Sequence, residues 1–194
     1  MTNRELINGL KADFRAYMNG VASAAMRNAG MTADYRVNFG VELPRIMDVK
    51  NELEQRLESD AEADETFMAR LAQELWHEAV RECRIIALML YPAQRMDLEL
   101  ADVWAEGIHT VELAQMAALF LFSKIQQASV AAFSWIAGED EMKQIIGFYT
   151  VLHLIREGQL SERSTDELAD QADAAASSEN PQLAAVAMKV KGLL

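Results

Sequence analysis

The stretch 107–115, GIHTVELAQ, places a histidine, a threonine, a glutamate and a glutamine at the head of an apolar run. His109 and Glu112 are residue types that carry protons in general acid–base chemistry. The same residues also spell a helix start, with Thr110 as the cap and Glu112 in the first turn, where a negative charge favours the helix dipole. Spacing alone leaves both readings open. The other candidates resolve toward structure. His77, His109 and His153 share no paired ligand spacing, so no metal site is expected. Cys83 is flanked by Arg81 and Arg84, which could lower a thiol pKa. Cys83 also lies on one helical stripe with Ala87 and Leu90 and so reads as a small buried hydrophobe. The acids cluster as Asp60, Glu62, Asp64 and Glu65, as Asp97, Glu99, Asp102 and Glu106, and as Glu139, Asp140 and Glu141. Each cluster stands at a helix beginning or on an outer face, where acids serve the dipole and hydration. Phosphate-binding loops, nucleophile elbows and zinc-protease signatures are absent.

The elements that must position these residues are helices. Apolar residues recur at three and four rather than at two, and the chain has three prolines. The pattern predicts helices over roughly 3–18, 21–29, 43–58, 64–77, 80–90, 98–106, 111–122, 127–137, 140–156, 164–176 and 182–193. Asn180 before Pro181 suits a cap followed by the first helical position. Short connections make antiparallel hairpins of 64–90, 98–122, 127–156 and 164–193. In the first three the second helix is the greasier, as in RECRIIALMLY, VELAQMAALFLF and QIIGFYTVLHLI. Such helices need cover on most sides, which stacked hairpins provide. The expected fold is all-α, a curved right-handed stack of HEAT-like hairpins forming one domain over 1–194, with a compact irregular bundle as the alternative. Trp76, Trp104 and Trp135 each fall in the first helix of a hairpin and read as core wedges rather than a ligand cage. In the connection 27–46, Gly30 and Gly40 punctuate an extended piece anchored by Tyr35 and Phe39, and Pro44 opens the next helix. A packed connection is preferred there to a ligand loop.

Composition bounds the function. The chain has 194 residues, 51% hydrophobic, and one cysteine, so it can hold a core and no internal disulfide. Its first residues lack a basic segment followed by an apolar one, so no signal peptide is read and a cytoplasmic protein is expected. The stretch 113–138 holds one charge, Lys124, but the polar SKIQQ at its middle opposes membrane insertion. Net charge is −12 and uneven: eight Lys/Arg face seven Asp/Glu up to residue 57, and ten face twenty-three after it. That balance disfavours non-specific attraction to duplex DNA and suits a hydrated acidic surface.

Four pieces, in order, resemble one family. They are MRNAG…DYRVNFGVELPRI, ELWHEAVRECRIIALMLYP, VWAEGIHTVELAQ and WIAGEDEMKQ, spread over roughly residues 15–176. Together they resemble the DNA-alkylation-repair family of HEAT-like proteins, the alkylpurine DNA glycosylases, and in particular a short branch of it. The resemblance implies hairpins stacked around a concave face that holds duplex DNA. It implies hydrolysis of the N-glycosidic bond of alkylated purines, with an aspartate stabilising the oxocarbenium charge and no metal or cofactor.

Carried over residue by residue, the catalytic machinery is missing. The tryptophan–aspartate stretch of active members falls on 111–115, so Val111 stands for the tryptophan and Gln115 for the catalytic acid. The cleft arginine falls on Ile145, and no tryptophan follows Trp135. A neutral amide cannot offset an oxocarbenium cation. The expected function is therefore a non-catalytic helical-repeat protein that takes a protein or nucleic-acid partner on its concave face, with Arg81, Arg84, Lys124 and Lys143 as basic contacts. The alternative is an active alkylpurine DNA glycosylase with Glu112 as a shifted acid. Glu112 points about 60° around the helix from Gln115, which counts against it.

Overall fold

The computed structural model describes residues 2–58, 63–160 and 162–194. Asp60 and Glu62 of the first acidic cluster lie outside the described residues. Among the described residues there are eleven α-helices and no strand beyond an isolated bridge between Val37 and Val80. The chain gathers into two compact units, Met1–Arg95 and Met96–Leu194.

The first unit holds α1 (Asn3–Ala16), α2 (Gly20–Asn28), α3 (Leu43–Glu58), α4 (Glu65–His77) and α5 (Arg81–Leu90). A capping box starts α1: Thr2 Oγ1 accepts from the Glu5 amide, and the Thr2 amide donates to Glu5. Leu6, Ile7, Leu10 and Phe14 then recur on one face and are buried. The core helix is α5, against which α1, α3 and α4 pack. Its Cys83, Ile85, Ile86, Ala87 and Leu88 are all fully buried, so the covering that its greasy sequence demands is met.

The connection from α2 to α3 is a packed strap, as its sequence indicates. Arg36 and Val37 amides donate to Ala79 O at 2.8 and 3.0 Å, and the Arg81 amide returns a bond to Val37 O at 3.0 Å. Phe39 and Val41 are buried beneath it. Between them Gly40 turns with φ +71°, and a Cβ there would lie 2.6 Å from the Ser23 amide nitrogen. Only glycine meets both demands.

The second unit holds α6 (Leu98–Glu106), α7 (Val111–Phe120), α8 (Ala128–Ala137), α9 (Glu141–Arg156), α10 (Glu162–Ala175) and α11 (Pro181–Lys191). Thr110 caps α7 by accepting from the Leu113 amide, and Asp97 and Asp140 cap α6 and α9 in the same way. Asn180 accepts from the Gln182 and Leu183 amides, with Pro181 at the first helical position. The acids that head these helices are thus structural. The core helix is α9, packed by α7, α8 and α11. It packs most extensively on α8, where Gly147 lies against the backbone of Ala132 and against Ile136. One hairpin departs from expectation. Over 98–122, α6 approaches α8 and α9 more closely than it approaches α7. The reason is polar: Asp102 of α6 accepts from Trp135 of α8 and from Lys143 of α9. In addition, α7 stops at Phe120, and the remainder of its apolar run forms a 3-10 turn over Phe122–Lys124.

Among the described residues no helix is long and apolar enough to cross a membrane.

Candidate functional site

The four cations named from sequence stand in four different situations. Arg81 is 3% exposed, and its guanidinium donates to Val41 O at 2.9 Å and lies 3.3 Å from the Glu82 carboxylate. It is part of the core and offers nothing to a partner. Arg84 lies over the Trp76 ring at 5.1 Å, which fixes it beside a buried indole. Lys143 reaches Asp102 at 2.8 Å and Glu106 at 3.3 Å. Partial burial works against the Lys143 charge, but these two carboxylates outweigh it and hold the ammonium above its ordinary range. Asp102 is held below its ordinary range chiefly by the Lys143 ammonium, with the Trp135 N–H helping against a smaller burial cost. This pair closes α6 onto α8 and α9 and is already neutralised. Lys124 alone is exposed and, among the described residues, in no ion pair.

The three tryptophans are buried, and Trp135 packs against Phe122 with ring centroids 4.9 Å apart. They are core wedges, as their recurrence predicts. Cys83 is 0% exposed, and burial pushes its thiol up to about 12, against a weaker opposing pull from Lys11. A thiol in that state is no nucleophile at neutral pH.

The position that the resemblance assigns to the catalytic acid is occupied by a neutral pair. Gln115 of α7 donates from Nε2 to the Tyr149 hydroxyl of α9 at 2.8 Å. Ile145, the residue carried over for the cleft arginine, is fully buried and cannot line a surface. The α9 side chain that meets Gln115 is Tyr149, one helical turn after Ile145. Lys189 of α11 extends over the Tyr149 ring, 6.0 Å from its centroid. Gln115, Tyr149 and Lys189 therefore form a row across α7, α9 and α11. Glu112 is half-buried in the first turn of α7, three residues before Gln115.

Further along α9, His153 is half-buried. Burial first, then the positive charge of Arg156 and, least, that of Lys124 hold its imidazole below the ordinary value of 6.5, against Glu157, which acts more strongly than Lys124. The sign of its effect on stability follows. The unfolded chain takes up the proton more readily than the folded one, so stability contributed by neutral His153 is lost as pH falls through about 6.5 toward the folded value. In urea titrations from pH 7.5 to 5.5, His153→Gln is expected to lose less stability than the parent chain. A parallel decline in both would remove His153 from the explanation.

Helix content, absence of strands among the described residues and the packing of second helices define the class: an all-α protein with a HEAT-like helical-repeat fold. The fold is similar to that of a solved structure from a family of proteins related to the HEAT-like repeat DNA glycosylases, with affinity for branched DNA structures. The TM-score is 0.73 at 15% identity, covering 98% of this chain and 74% of that one. The sequence matches the DNA alkylation repair enzyme family over residues 10–183, and the chain belongs to that family. No curated protein matches it.

Proposed function

We propose that this chain is a non-catalytic member of the DNA alkylation repair family that binds nucleic acid through the row on α7, α9 and α11. The observation that carries this is the Gln115–Tyr149 hydrogen bond, at the position to which the resemblance carries the family's acid. Cleaving an N-glycosidic bond requires negative charge, or a base able to activate water, beside the developing oxocarbenium ion. An amide bonded to a phenol supplies neither at neutral pH. The net charge of −12 makes tight binding to plain duplex unfavourable. A branched substrate, for which the similar solved protein has affinity, offers phosphates from several directions to a small basic region. A protein partner is the less favoured occupant.

The test pairs two measurements. The protein is incubated with methylated duplex DNA, and free 7-methylguanine and 3-methyladenine are quantified. Binding to a four-way DNA junction and to a duplex of equal length is titrated between 25 and 150 mM salt, over which the screening length falls from about 20 Å to about 8 Å. No base release above background is expected, with junction binding that weakens steeply as salt rises. Base release that disappears in Glu112→Gln would instead establish the shifted-acid glycosylase. Absence of junction binding at the lowest salt would remove nucleic acid as the partner.

A further inference from the structure

The second unit is strongly acidic: Asp and Glu outnumber Lys and Arg by fifteen to six over residues 96–194. In such a unit a cation finds a carboxylate easily, and two do. Lys143 pairs with Asp102 and Glu106, and Lys191 pairs with Asp173. Lys124, Arg156 and Lys189 are exposed, and among the described residues none of them joins an ion pair. They are also not scattered. Tyr149, His153 and Arg156 follow at i, i+4 and i+7 and so lie on one stripe of α9. Lys189 covers the Tyr149 end of that stripe. Lys124, from the 3-10 turn after α7, acts on His153 in its middle together with Arg156.

The hydrogen-bond polarity adds a second, independent feature. The Tyr149 oxygen accepts from Gln115, so its own O–H proton is free to donate outward. A phenol donor beside an ammonium is a pair suited to a phosphate oxygen. His153, on the same stripe, adds a ring N–H.

We infer that Tyr149, Lys189, Lys124 and Arg156 form a track for the phosphodiester backbone of a nucleic acid along this half-exposed stripe of α9. This rests on the binding reading above and gives it an address. The track presents donors and cations to a phosphate chain at the row to which the resemblance carries the family's acid. It contacts backbone and reads no base, so its recognition is by shape and phosphate placement.

The test uses the full chain and the four-way junction. One variant carries Lys124→Gln, Arg156→Gln and Lys189→Gln. A charge-matched control carries Lys50→Gln, Lys143→Gln and Lys191→Gln, whose cations are already paired. Each lost phosphate contact lowers the slope of log affinity against log salt by about 0.9. The track variant is expected to lose about 2 to 3 in slope and on the order of 10- to 100-fold in affinity, while the control keeps its slope. Tyr149→Phe is expected to weaken binding several-fold with the slope unchanged, because it removes a donor and no charge. Imidazole resonances of His153 should shift as junction DNA is added. If the parent chain binds the junction and the track variant behaves like the control, the track is wrong and the binding reading stands. If the parent chain binds no DNA at all, both are wrong. Circular dichroism on each variant separates lost binding from lost folding.

Discussion

Replacing Glu82 by Ala is expected to destabilise the first unit by about 3–5 kcal/mol, the range for removing one partner of a buried charge network. Glu82 is 0% exposed. Its two oxygens accept from the Phe39 and Val41 amides at 3.3 and 3.2 Å and from the buried Arg81 guanidinium at 3.3 Å. Truncation leaves two buried amides without this acceptor and takes the carboxylate from the buried Arg81 guanidinium, and each such loss is costly by itself. It also frees the strap between α2 and α3 from its inner anchor. Glu82→Gln keeps the volume and one acceptor, so it should fall between the parent and the alanine variant. A joint Arg81→Ala and Glu82→Ala change should cost less than the two single changes added together, because the second removal no longer leaves a charge uncompensated. Urea midpoints followed by circular dichroism measure all four proteins. A loss below about 1 kcal/mol for Glu82→Ala would show that water or a rearranged strap replaces the carboxylate, contrary to its role as anchor.

In the second unit, Gly147→Val is expected to be the most damaging single change in α9, at about 3 kcal/mol, the upper part of the range for overpacking a filled core. A Cβ at Gly147 would lie 2.7 Å from Ala132 O and 2.7 Å from Ile136 Cγ1. The side-chain atom can turn away. The carbonyl belongs to the backbone of α8, so relief requires the helices to separate, and their seam has no slack. Gly9→Ala supplies the opposite sign. Gly9 is inside α1, with nothing within 4 Å of its added Cβ, so alanine should stabilise by about 0.5–1 kcal/mol through helix propensity. Thermal melts of both variants test the pair. Equal and small effects at the two sites would mean that α8 and α9 pack more loosely than 2.7 Å implies.

What was legible in the sequence follows the range of the forces involved. Helix starts are local events, and Thr110 and Asn180–Pro181 announce them correctly because cap and helix are neighbours in the chain. The greasy second helices were likewise readable as covered ones. The end of α7 was not, because LFLFSK continues an apolar pattern equally well as helix or as a 3-10 turn. Side-chain partners across helices were the least readable. Ile145 and Tyr149 are one turn apart on the same helix, yet one is core and the other meets Gln115, a difference that periodicity does not carry. The partner of Gln115 is fixed only once α7 is laid against α9. Arg81 looked like a surface cation because arginine usually is one. Nothing in its neighbours announces that a strap some forty residues earlier will bring Val41 O to meet it. Arg156 and Lys189 drew no notice for the converse reason: each is ordinary in its own helix and becomes distinctive only beside Tyr149.

The single cysteine gives the molecule a built-in clock. Cys83 is the only thiol in the chain, it is fully enclosed in α5, and its pKa of about 12 leaves almost no thiolate while the enclosure lasts. A thiol reagent can therefore reach it only through an opening of the first unit, and the labelling rate counts those openings rather than the reactivity of the sulfur. The helix that the rest of the first unit packs around thus reports, from its own centre and without any added probe, how often that unit comes apart.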